Sequence, residues 1–297
     1  MSAPRVVVVA KRSQYTRFVE EERDPRARLL LKRRDPSVSK WLESHEQHTR
    51  TLETVLEALA RLGARALVIR RAHAAFDTTD AELVVSVGGD GTLLAASHNV
   101  GSVPILGVNS APRYSVGFFC AARRSNVLAL LRRSLDGKLE SVQLTRMRVT
   151  VNGRVRSTRV LNEVLYSHAS PAATSHYLLR HRGIEEQQRS SGFWIGPAAG
   201  STGAQRSAGG RVLALSSKAL QLVVREPYHA FGQRYRLLHR LVRREEKLVA
   251  ISKMQDVNLF LDGPYYKVPV QLGDVVAFSA SAEPLTVLGL RSERARR

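Results

Sequence analysis

The sequence predicts an α/β N-terminal domain built on a parallel sheet, followed by a β-rich, mostly antiparallel C-terminal domain. Short apolar runs alternate with helical patterns up to about residue 115, which is typical of parallel strands joined by helices. Beyond residue 126 most segments alternate apolar and polar residues, as strands of an antiparallel sheet do. We therefore expect one domain at residues 1–115 and a second at residues 116–297.

The first domain opens with Arg5 to Ala10, whose four consecutive valines predict a strand buried on both faces. The charged segment 11–37 has little periodicity and predicts a loop with a frayed helix. Leucine and valine then recur at helical spacing from Leu52 to Leu62, and Gly63 suits the left-handed residue after a helix end. Three more strands are predicted at residues 66–69, 83–87 and 103–108.

The second domain begins with a short helix predicted from Val127 to Leu135. Residues 145–151 and 154–160 then flank Asn152-Gly153, a dipeptide that favours a two-residue hairpin turn. Further strands are predicted at 163–166, 219–224, 248–251, 257–261, 275–279 and 285–290.

Composition bounds the class of protein. With 297 residues and 43% hydrophobic content, the chain can bury one large core or two moderate ones. No apolar run is long enough to span a bilayer or to form a signal-peptide core, so we expect a soluble, intracellular protein. The single cysteine, Cys120, excludes an internal disulfide and a CxxC motif, and we expect it to be a buried apolar residue.

The charge balance points to an anionic ligand. Lys and Arg number 46 against 26 Asp and Glu, which gives a formal net charge of +20. Such a field attracts polyphosphates without reading sequence, so nucleic acids and small nucleotides are both candidates. No helix-turn-helix pattern, zinc-ligand spacing or aromatic RNA-binding motif supports the first candidate.

The run Gly88-Gly89-Asp90-Gly91-Thr92 follows a predicted strand and precedes an apolar helical segment. Glycines at a strand end let phosphates lie on backbone N–H groups, and the following helix adds its positive end. A carboxylate among phosphates either binds through a metal or takes a proton from an attacking hydroxyl. The motif thus predicts phosphoryl transfer to an alcohol. The alternative, in which Asp90 only caps the helix, is equally supported by this motif on its own.

Two other segments carry chemistry-bearing residues. Asn162-Glu163 opens a predicted strand, where an amide and an acid can hold a ribose or a base edge. The alternative is a hairpin end with solvated polar side chains. Residues 196–204 and 207–210 are mostly Gly, Ala, Ser and Thr, which cannot pack a core. They either turn tightly or let a flat ligand approach the backbone, and the second use is favoured.

These motifs occur in the same order as in the NAD kinase family, which the chain resembles over about residues 83–290. The matching segments are 88–92, Gly107-Val108-Asn109, Asn162-Glu163, Gly200-Ser201-Thr202, Ser207-Ala208-Gly209-Gly210 and Asp262-Gly263. The resemblance implies an NAD kinase-like fold, with an α/β domain, a β-rich domain and the dinucleotide between them. It also implies a homodimer or homotetramer.

The resemblance implies roles for particular residues. Asp90 matches the catalytic aspartate that activates the 2′-hydroxyl of the adenosine ribose. The implied nucleotide- and phosphate-binding residues are Gly88, Gly89, Gly91, Thr92, Asn109, Asn162, Glu163, Ser191, Gly200, Ser201, Thr202, Gly203, Ala204 and Ser207. Among these, Asn162 and Glu163 match the pair that holds the adenosine part of the dinucleotide.

Some positions depart from the common family pattern. Ser191 stands where many bacterial members have an aspartate, and Ala204 stands in the place of a tyrosine. In this respect the chain is similar to the branch that contains the plant NADH-preferring kinase, so we expect NADH to be accepted at least as well as NAD. A longer turn follows Asn109, and we expect it to place Arg113 near phosphate.

The predicted activity is transfer of the γ-phosphate of ATP to the 2′-hydroxyl of NAD or NADH. Because no acidic cluster resembles a protein metal cage, Mg²⁺ is expected to arrive with ATP. We expect a cytoplasmic enzyme with no nucleic-acid or membrane partner. The alternatives are a lipid or sugar kinase that uses the same glycine-rich turn, and a non-catalytic nucleotide- or nucleic-acid-binding protein.

Overall fold

The computed structural model describes residues 3–229 and 234–290, which fold as two units. Among these residues, the first unit covers 3–142 and 286–290, and the second covers 143–229 and 234–285. The first unit is α/β and the second is formed by antiparallel strands, so the predicted fold class is confirmed.

The first unit contains one seven-stranded sheet in the order β2-β1-β3-β4-β19-β6, with β5 also paired to β4. Its strands are β1 (Arg5–Ala10), β2 (Arg65–Ile69), β3 (Leu83–Gly88), β4 (Ile105–Asn109), β5 (Cys120–Arg123), β6 (Ser141–Leu144) and, near the chain's end, β19 (Leu285–Leu288). The pairs β1–β2, β1–β3, β3–β4, β4–β5 and β4–β19 are parallel. Parallel strands carry polar groups and turns at their carboxyl ends, where ligands bind in such sheets.

The helices of the first unit are α1 (Pro25–Lys32), α2 (Trp41–Arg61), α3 (Asp90–Ser97) and α4 (Val127–Leu135). The apolar face of α2 includes the fully buried Val55 and Leu59, which belong to one core with Leu131 of α4. Gly63 follows α2 with a φ of +70°, as its sequence position predicts. The first unit continues past the predicted boundary at residue 115 because β5 pairs with β4 and α4 packs on α2.

Residues 11–37 differ from the predicted loop with a frayed helix. They contain a short π-helix (Thr16–Glu21), α1 and a 3-10 helix (Pro36–Val38). The Asp24 carboxylate accepts the backbone N–H of Arg26 at 2.8 Å, and Pro25 occupies the first turn of α1. A capped start and a proline at the first helical position stabilise a helix even where apolar periodicity is weak.

The second unit consists of two six-stranded sheets and the short helix α5 (Ala204–Ser207). Their strands are β7 (Met147–Val151), β8 (Arg154–Val160), β9 (Val164–His168), β10 (Ser175–His181), β11 (Ile184–Ser190), β12 (Phe193–Pro197), β13 (Leu220–Val224), β14 (His239–Val242), β15 (Lys247–Ser252), β16 (Val257–Leu261), β17 (Tyr266–Val270) and β18 (Val275–Ala280). The sheet orders are β11-β10-β15-β18-β7-β8 and β14-β13-β12-β9-β16-β17.

The two sheets of the second unit share one apolar core. Tyr166 and Phe193 of one sheet stack with ring centroids 4.9 Å apart, and Tyr177 of the other lies edge-on to both rings. All three side chains are fully buried. The predicted hairpin is present, since Asn152 and Gly153 both have positive φ angles, which a two-residue type I′ turn requires.

In residues 3–229 and 234–290, none of the helices is long and apolar enough to cross a membrane.

Candidate active site

The turn between β3 and α3 is built around two glycines that have no room for a side chain. A Cβ on Gly88 would lie 2.2 Å from the Thr92 hydroxyl oxygen, and one on Gly89 would lie 2.3 Å from that of Ser115. Thr92 is itself buried. Nothing lies within 4 Å of the Cβ direction of Gly91, so the backbone there is open. The turn therefore leaves N–H groups at the start of α3 close to open space, which suits phosphate oxygens.

Asp90 is the first residue of α3, and its side chain does not cap that helix. The N-cap is Gly89, and the two Asp90 carboxylate oxygens instead accept the backbone N–H groups of Phe118 and Phe119, at 2.9 and 2.8 Å. The capping alternative is therefore wrong. Because a carboxylate has about four lone-pair sites, two such bonds fix its orientation and leave it able to accept a further proton or cation.

Cys120 lies close to this carboxylate. Burial, and then the charge of Asp90, raise the pKa of its thiol to about 12. The residue is partly rather than fully buried, so the expectation of a buried apolar cysteine holds only in part. Its thiol stays protonated at neutral pH and is a poor nucleophile.

Asn109 ends β4 directly beside Gly88 in the sheet register. Its side-chain amide donates to the Ser115 carbonyl at 2.9 Å and accepts the N–H of Ala111 at 3.3 Å. The turn closes tightly, because a Cβ on Gly117 would lie 2.3 Å from the Asn109 amide nitrogen. Asn109 thus holds the loop that supplies the amides bound to Asp90, and it acts by positioning that loop.

A basic cavity of about 460 Å³ lies in the first unit beside Asn109. Four arginines line it, namely Arg50, Arg113, Arg123 and Arg124. Arg113, which the sequence predicted near phosphate, also forms an ion pair with Glu43 at 3.1 Å. The cavity concentrates positive charge next to the end of β4, where phosphate groups of a donor can be held.

Lys11 is a residue of this region that the sequence reasoning did not single out. It follows β1 and lies beside Gly88, with its backbone N–H donated to the Val87 carbonyl at 2.9 Å. Burial lowers the pKa of its ammonium group. The signal was available in principle, since the residue after a buried parallel strand lies at the same sheet edge as the glycine-rich turn.

The second unit holds the other predicted residues, and Asp262 organises them. Its carboxylate accepts the backbone N–H groups of Leu161, Asn162 and Glu163 at 2.8, 2.7 and 3.1 Å. Asp262 itself has a φ of +51° and donates its N–H to the Glu163 carbonyl at 2.9 Å. This carboxylate, noted only as part of a motif, therefore shapes the turn between β8 and β9.

Asn162 and Glu163 each present a buried oxygen without a protein partner. In the described part of the chain, the Asn162 side-chain oxygen and the Glu163 Oε2 have no hydrogen-bond donor. Burial, reinforced by the nearby charge of Asp262, raises the pKa of Glu163 from 4.5 to about 8. Buried polar atoms are normally paired, so these two atoms indicate a polar ligand: the Asn162 oxygen accepts a hydrogen bond, and the Glu163 carboxyl donates one when protonated and accepts one when ionised. The alternative of solvated side chains at a hairpin end is wrong.

The glycine-rich loop packs directly on this turn. A Cβ on Gly196 or Gly200 would lie 2.1 or 2.0 Å from the Asn162 carbonyl oxygen. The buried Gln205 side chain donates to the same oxygen at 3.2 Å. These glycines are therefore required by close backbone approach rather than by left-handed dihedrals.

The remaining residues of the loop divide into internal and exposed positions. Ser201 is fully buried, and its hydroxyl donates to the Ala198 carbonyl at 2.8 Å while accepting the N–H of Leu213 at 2.9 Å. By contrast, Thr202, Gly203 and Ser207 are exposed and Ala204 is partly exposed. The exposed group can contact a ligand, whereas Ser201 holds the loop in shape.

Ser191 lies in the turn between β11 and β12 and is hydrogen-bonded to the Glu226 carboxylate. Its backbone N–H donates to the Arg225 carbonyl at 3.1 Å. Glu226, from the segment after β13, thus brings a carboxylate to the side chain of Ser191, which the sequence pattern did not indicate. Gly192 has a φ of +94°, and a Cβ there would lie 2.0 Å from the Tyr166 carbonyl, so the turn itself is fixed.

Across the described ranges, no group of three or more His, Cys, Asp or Glu side chains could hold a metal ion.

The chain is similar over most of its length to known proteins of one family. Residues 5–139 match the family described as ATP-NAD kinase N-terminal domain. The chain is 34% identical to the probable NADH kinase of Oryza sativa subsp. japonica, a match that covers 86% of this chain and 85% of the relative. It is 31% identical to the NADH kinase of Arabidopsis thaliana, and this match covers 86% of this chain and 87% of the relative.

Solved structures share the fold at lower identity. An NAD kinase from Archaeoglobus fulgidus, in complex with ATP, superposes with a TM-score of 0.69 at 22% sequence identity. The match covers 97% of this chain and 94% of the Archaeoglobus chain. Yeast NADH kinase complexed with NADH gives a TM-score of 0.71 at 13% identity, with 99% and 85% covered. With the two plant relatives matched over most of their length, the chain belongs to the NAD kinase family.

Proposed function

We propose that this protein transfers the γ-phosphate of ATP to the 2′-hydroxyl of the adenosine ribose of NAD(H), with Asp90 as the general base. As a member of the NAD kinase family, it is an enzyme that phosphorylates NAD(H) with ATP. The relatives reported above are NAD or NADH kinases by name, which favours this reaction over lipid or sugar phosphorylation. The observation that carries the assignment is the Asp90 carboxylate, held by two backbone amides at a glycine turn.

The chemical step follows from that carboxylate. The 2′-hydroxyl gives its proton to Asp90 while its oxygen forms a bond to the γ-phosphorus, and the bond from that phosphorus to the β-phosphate oxygen breaks to release ADP. The amides of Phe118 and Phe119 hold the base at a fixed angle, so little reorganisation accompanies proton transfer. Removing a general base of this kind lowers turnover by about two to four orders of magnitude.

The donor is MgATP, in which the metal is part of the substrate and keeps most of its ligands from phosphate and water. We propose that the open backbone at Gly91 and the four arginines beside Asn109 bind its phosphates. A guanidinium group donates two parallel hydrogen bonds to phosphate oxygens and neutralises part of their charge. Backbone N–H groups at the start of a helix also donate hydrogen bonds to phosphate.

The dinucleotide is held by Asn162 and Glu163. Their two orphaned oxygens form hydrogen bonds with the adenosine part of the substrate, which explains why the protein itself leaves them unpaired. The exposed atoms of Thr202, Gly203 and Ser207 lie on the neighbouring loop and add backbone and hydroxyl contacts. These contacts exist before and during the reaction, so they act mainly on substrate affinity.

We infer that NADH is accepted at least as well as NAD. The two plant relatives are named probable NADH kinase and NADH kinase, which favours this inference. The lack of an aspartate at position 191 does not add to it, because Glu226 brings a carboxylate to Ser191. We also propose that the enzyme is cytoplasmic and that it forms a homodimer or homotetramer.

The test is an assay of the purified protein with MgATP and either NAD or NADH at equal concentration. Product is quantified by an NADP-specific dehydrogenase, and phosphorus NMR of the product distinguishes a 2′-phosphate from other esters. We expect NADP(H) with wild type and almost none with Asp90→Asn. If the protein instead phosphorylated diacylglycerol or sphingosine and left both dinucleotides unchanged, the proposal would be wrong.

A further inference from the structure

The second unit contains another basic cavity, which includes Gly209 of the segment 207–210 but none of the residues assigned above to catalysis and substrate binding. Its volume is about 790 Å³, within the range of ordinary ligand pockets. The cationic side chains that line it are Arg182, Arg211, Arg236, Arg240, Arg243 and His239. Of the residues that the structure describes, no Asp or Glu lines this cavity.

Most of this charge is uncompensated. Arg182 pairs with Glu246 at 2.6 Å, and the same carboxylate contacts the buried His181 at 3.1 Å. The N–H of Arg243, followed by these side chains, lowers the pKa of Glu246 to about 2. The Glu246 carboxylate is therefore already bound to these groups and does not neutralise the other arginines of the cavity.

The other four arginines of this cavity have no carboxylate partner within residues 3–229 and 234–290; they are Arg211, Arg236, Arg240 and Arg243. Arg240 donates only to the Arg236 carbonyl, at 3.0 Å. All four are exposed, and guanidinium groups gathered around one concave surface create a positive potential that attracts an external anion.

The cavity walls are held in place by buried amides and a carboxylate. The buried Gln221 side chain accepts the N–H of Arg211 at 2.7 Å and donates to its carbonyl at 3.0 Å. On another wall, Glu186 accepts the N–H groups of Arg236 and Leu237 at 2.6 and 2.9 Å. The backbone that carries two of the arginines is thus fixed before any ligand binds.

A chain of hydrogen bonds connects this cavity to the predicted dinucleotide contact. Gln221 donates to the Gln205 side chain at 3.1 Å, and Gln205 donates to the Asn162 carbonyl at 3.2 Å. Both glutamines are almost completely buried. Two buried side chains therefore join the backbone of Arg211 to the backbone of Asn162 through hydrogen bonds.

We propose that this cavity binds an oligophosphate and that its occupant changes the affinity of the enzyme for the dinucleotide. Guanidinium groups bind phosphate oxygens bidentately, and several of them require a ligand with several phosphates rather than one. No Phe, Tyr or Trp among the described residues lines the cavity, so it offers no stacking platform for the bases of a nucleic acid. The binding claim is independent of the proposed reaction, whereas the effect on the dinucleotide rests on it.

The binding test compares two double variants that remove the same charge. In the first, Arg240→Gln and Arg243→Gln remove cavity residues. In the control, Arg154→Gln and Arg244→Gln remove exposed arginines outside it. Calorimetry with inorganic tripolyphosphate should show binding at the donor site and at this cavity. The first variant should weaken one of these two events by at least about 30-fold, and the control should change neither by more than about twofold. Arg211→Gln, on another wall, should weaken the same event by at least about tenfold.

Equal losses in both double variants would show a general charge effect and would overturn the proposal, as would unchanged binding in the first. ATP forms a second arm. If this cavity binds ATP and tripolyphosphate with equal affinity, the phosphates are the recognised group. If it binds ATP more tightly and the first variant abolishes that difference, the ligand is a nucleoside triphosphate.

The link to the dinucleotide is measured separately, as the KM for NADH with and without saturating tripolyphosphate. We expect a change of at least about fivefold in wild type and none in the Arg240→Gln, Arg243→Gln variant. The same KM change in that variant would place the effect at the donor site and overturn the link. If the protein had no kinase activity, the calorimetry would still decide the binding claim.

Discussion

The buried carboxyl of Glu163 should make the stability of the second unit depend on pH between about 4.5 and 8. Its pKa is raised to about 8 in the folded protein by burial and by Asp262, against 4.5 in the unfolded chain. Across that window the folded state keeps the proton that the unfolded state has lost. The free energy of unfolding therefore falls as pH rises, and the loss is complete above the folded pKa.

The size of the effect follows from the two pKa values. One pKa unit corresponds to about 1.4 kcal/mol, so the full window from 4.5 to about 8 corresponds to about 5 kcal/mol. Between about pH 5.5 and about pH 8.5, wild type should lose about 3 kcal/mol relative to Glu163→Gln. Glutamine keeps the shape of the side chain and has no proton to lose in this range.

The measurement is urea unfolding of both proteins at the two pH values, without nucleotide, followed by a signal from the Tyr166–Phe193 core. Glu245→Gln, which changes an exposed carboxylate of the same unit, is the matched control and should follow wild type. If wild type and Glu163→Gln lost stability in parallel as pH rose, the carboxyl would be ordinary and the argument from its burial would fail.

Three further variants test the site. Asp90→Asn should keep the fold and most dinucleotide affinity while lowering kcat by about two to four orders of magnitude, and near-normal turnover of the purified variant would remove Asp90 from the chemistry. Gly200→Ala should destabilise the second unit by about 2 kcal/mol or more, because its Cβ would lie 2.0 Å from the Asn162 carbonyl; a melting temperature equal to that of wild type would contradict this contact. Glu226→Gln should raise the NADH-to-NAD ratio of kcat/KM by several-fold, about 1 kcal/mol, because the oxidised nicotinamide ring is cationic; a ratio unchanged from wild type would place the ring away from Ser191.

Much of the architecture could be predicted because its signals are local. Four consecutive valines at residues 6–9 predict a buried parallel strand, and Asn152-Gly153 predicts the turn with two positive φ angles. Other strands carry no such signal. In β11 the residues Glu185 to Gln188 are polar, yet Gln188 is fully buried and its amide reaches the Leu237 carbonyl at 3.4 Å. A polar side chain whose partner is supplied by a distant loop looks solvated in the sequence.

The same reason limits what the sequence reveals of the site. Asp90 and the pair Asn162-Glu163 stand out as motifs, but their roles depend on partners far along the chain. The amides that orient Asp90 follow it by 28 and 29 residues, and the carboxylate that shapes the Asn162 turn lies 100 residues away. Glu226, which supplies the carboxylate beside Ser191, is 35 residues beyond it. Contacts of this kind are decided by topology, which periodicity does not report.

The position of β19 has a consequence for how the enzyme is synthesised and dissected. This strand, from the last fifteen residues of the chain, lies between β4 and β6 in the sheet of the first unit. On the ribosome, that sheet stays incomplete until residues 285–288 have been synthesised, and the Ile105 end of β4 must be protected meanwhile. A fragment that stops at residue 142 would carry the glycine-rich turn and Asp90 but would lack the strand that pairs with β4 at Ile105. Expression of the first unit therefore requires that residues 285–290 be kept with residues 3–142.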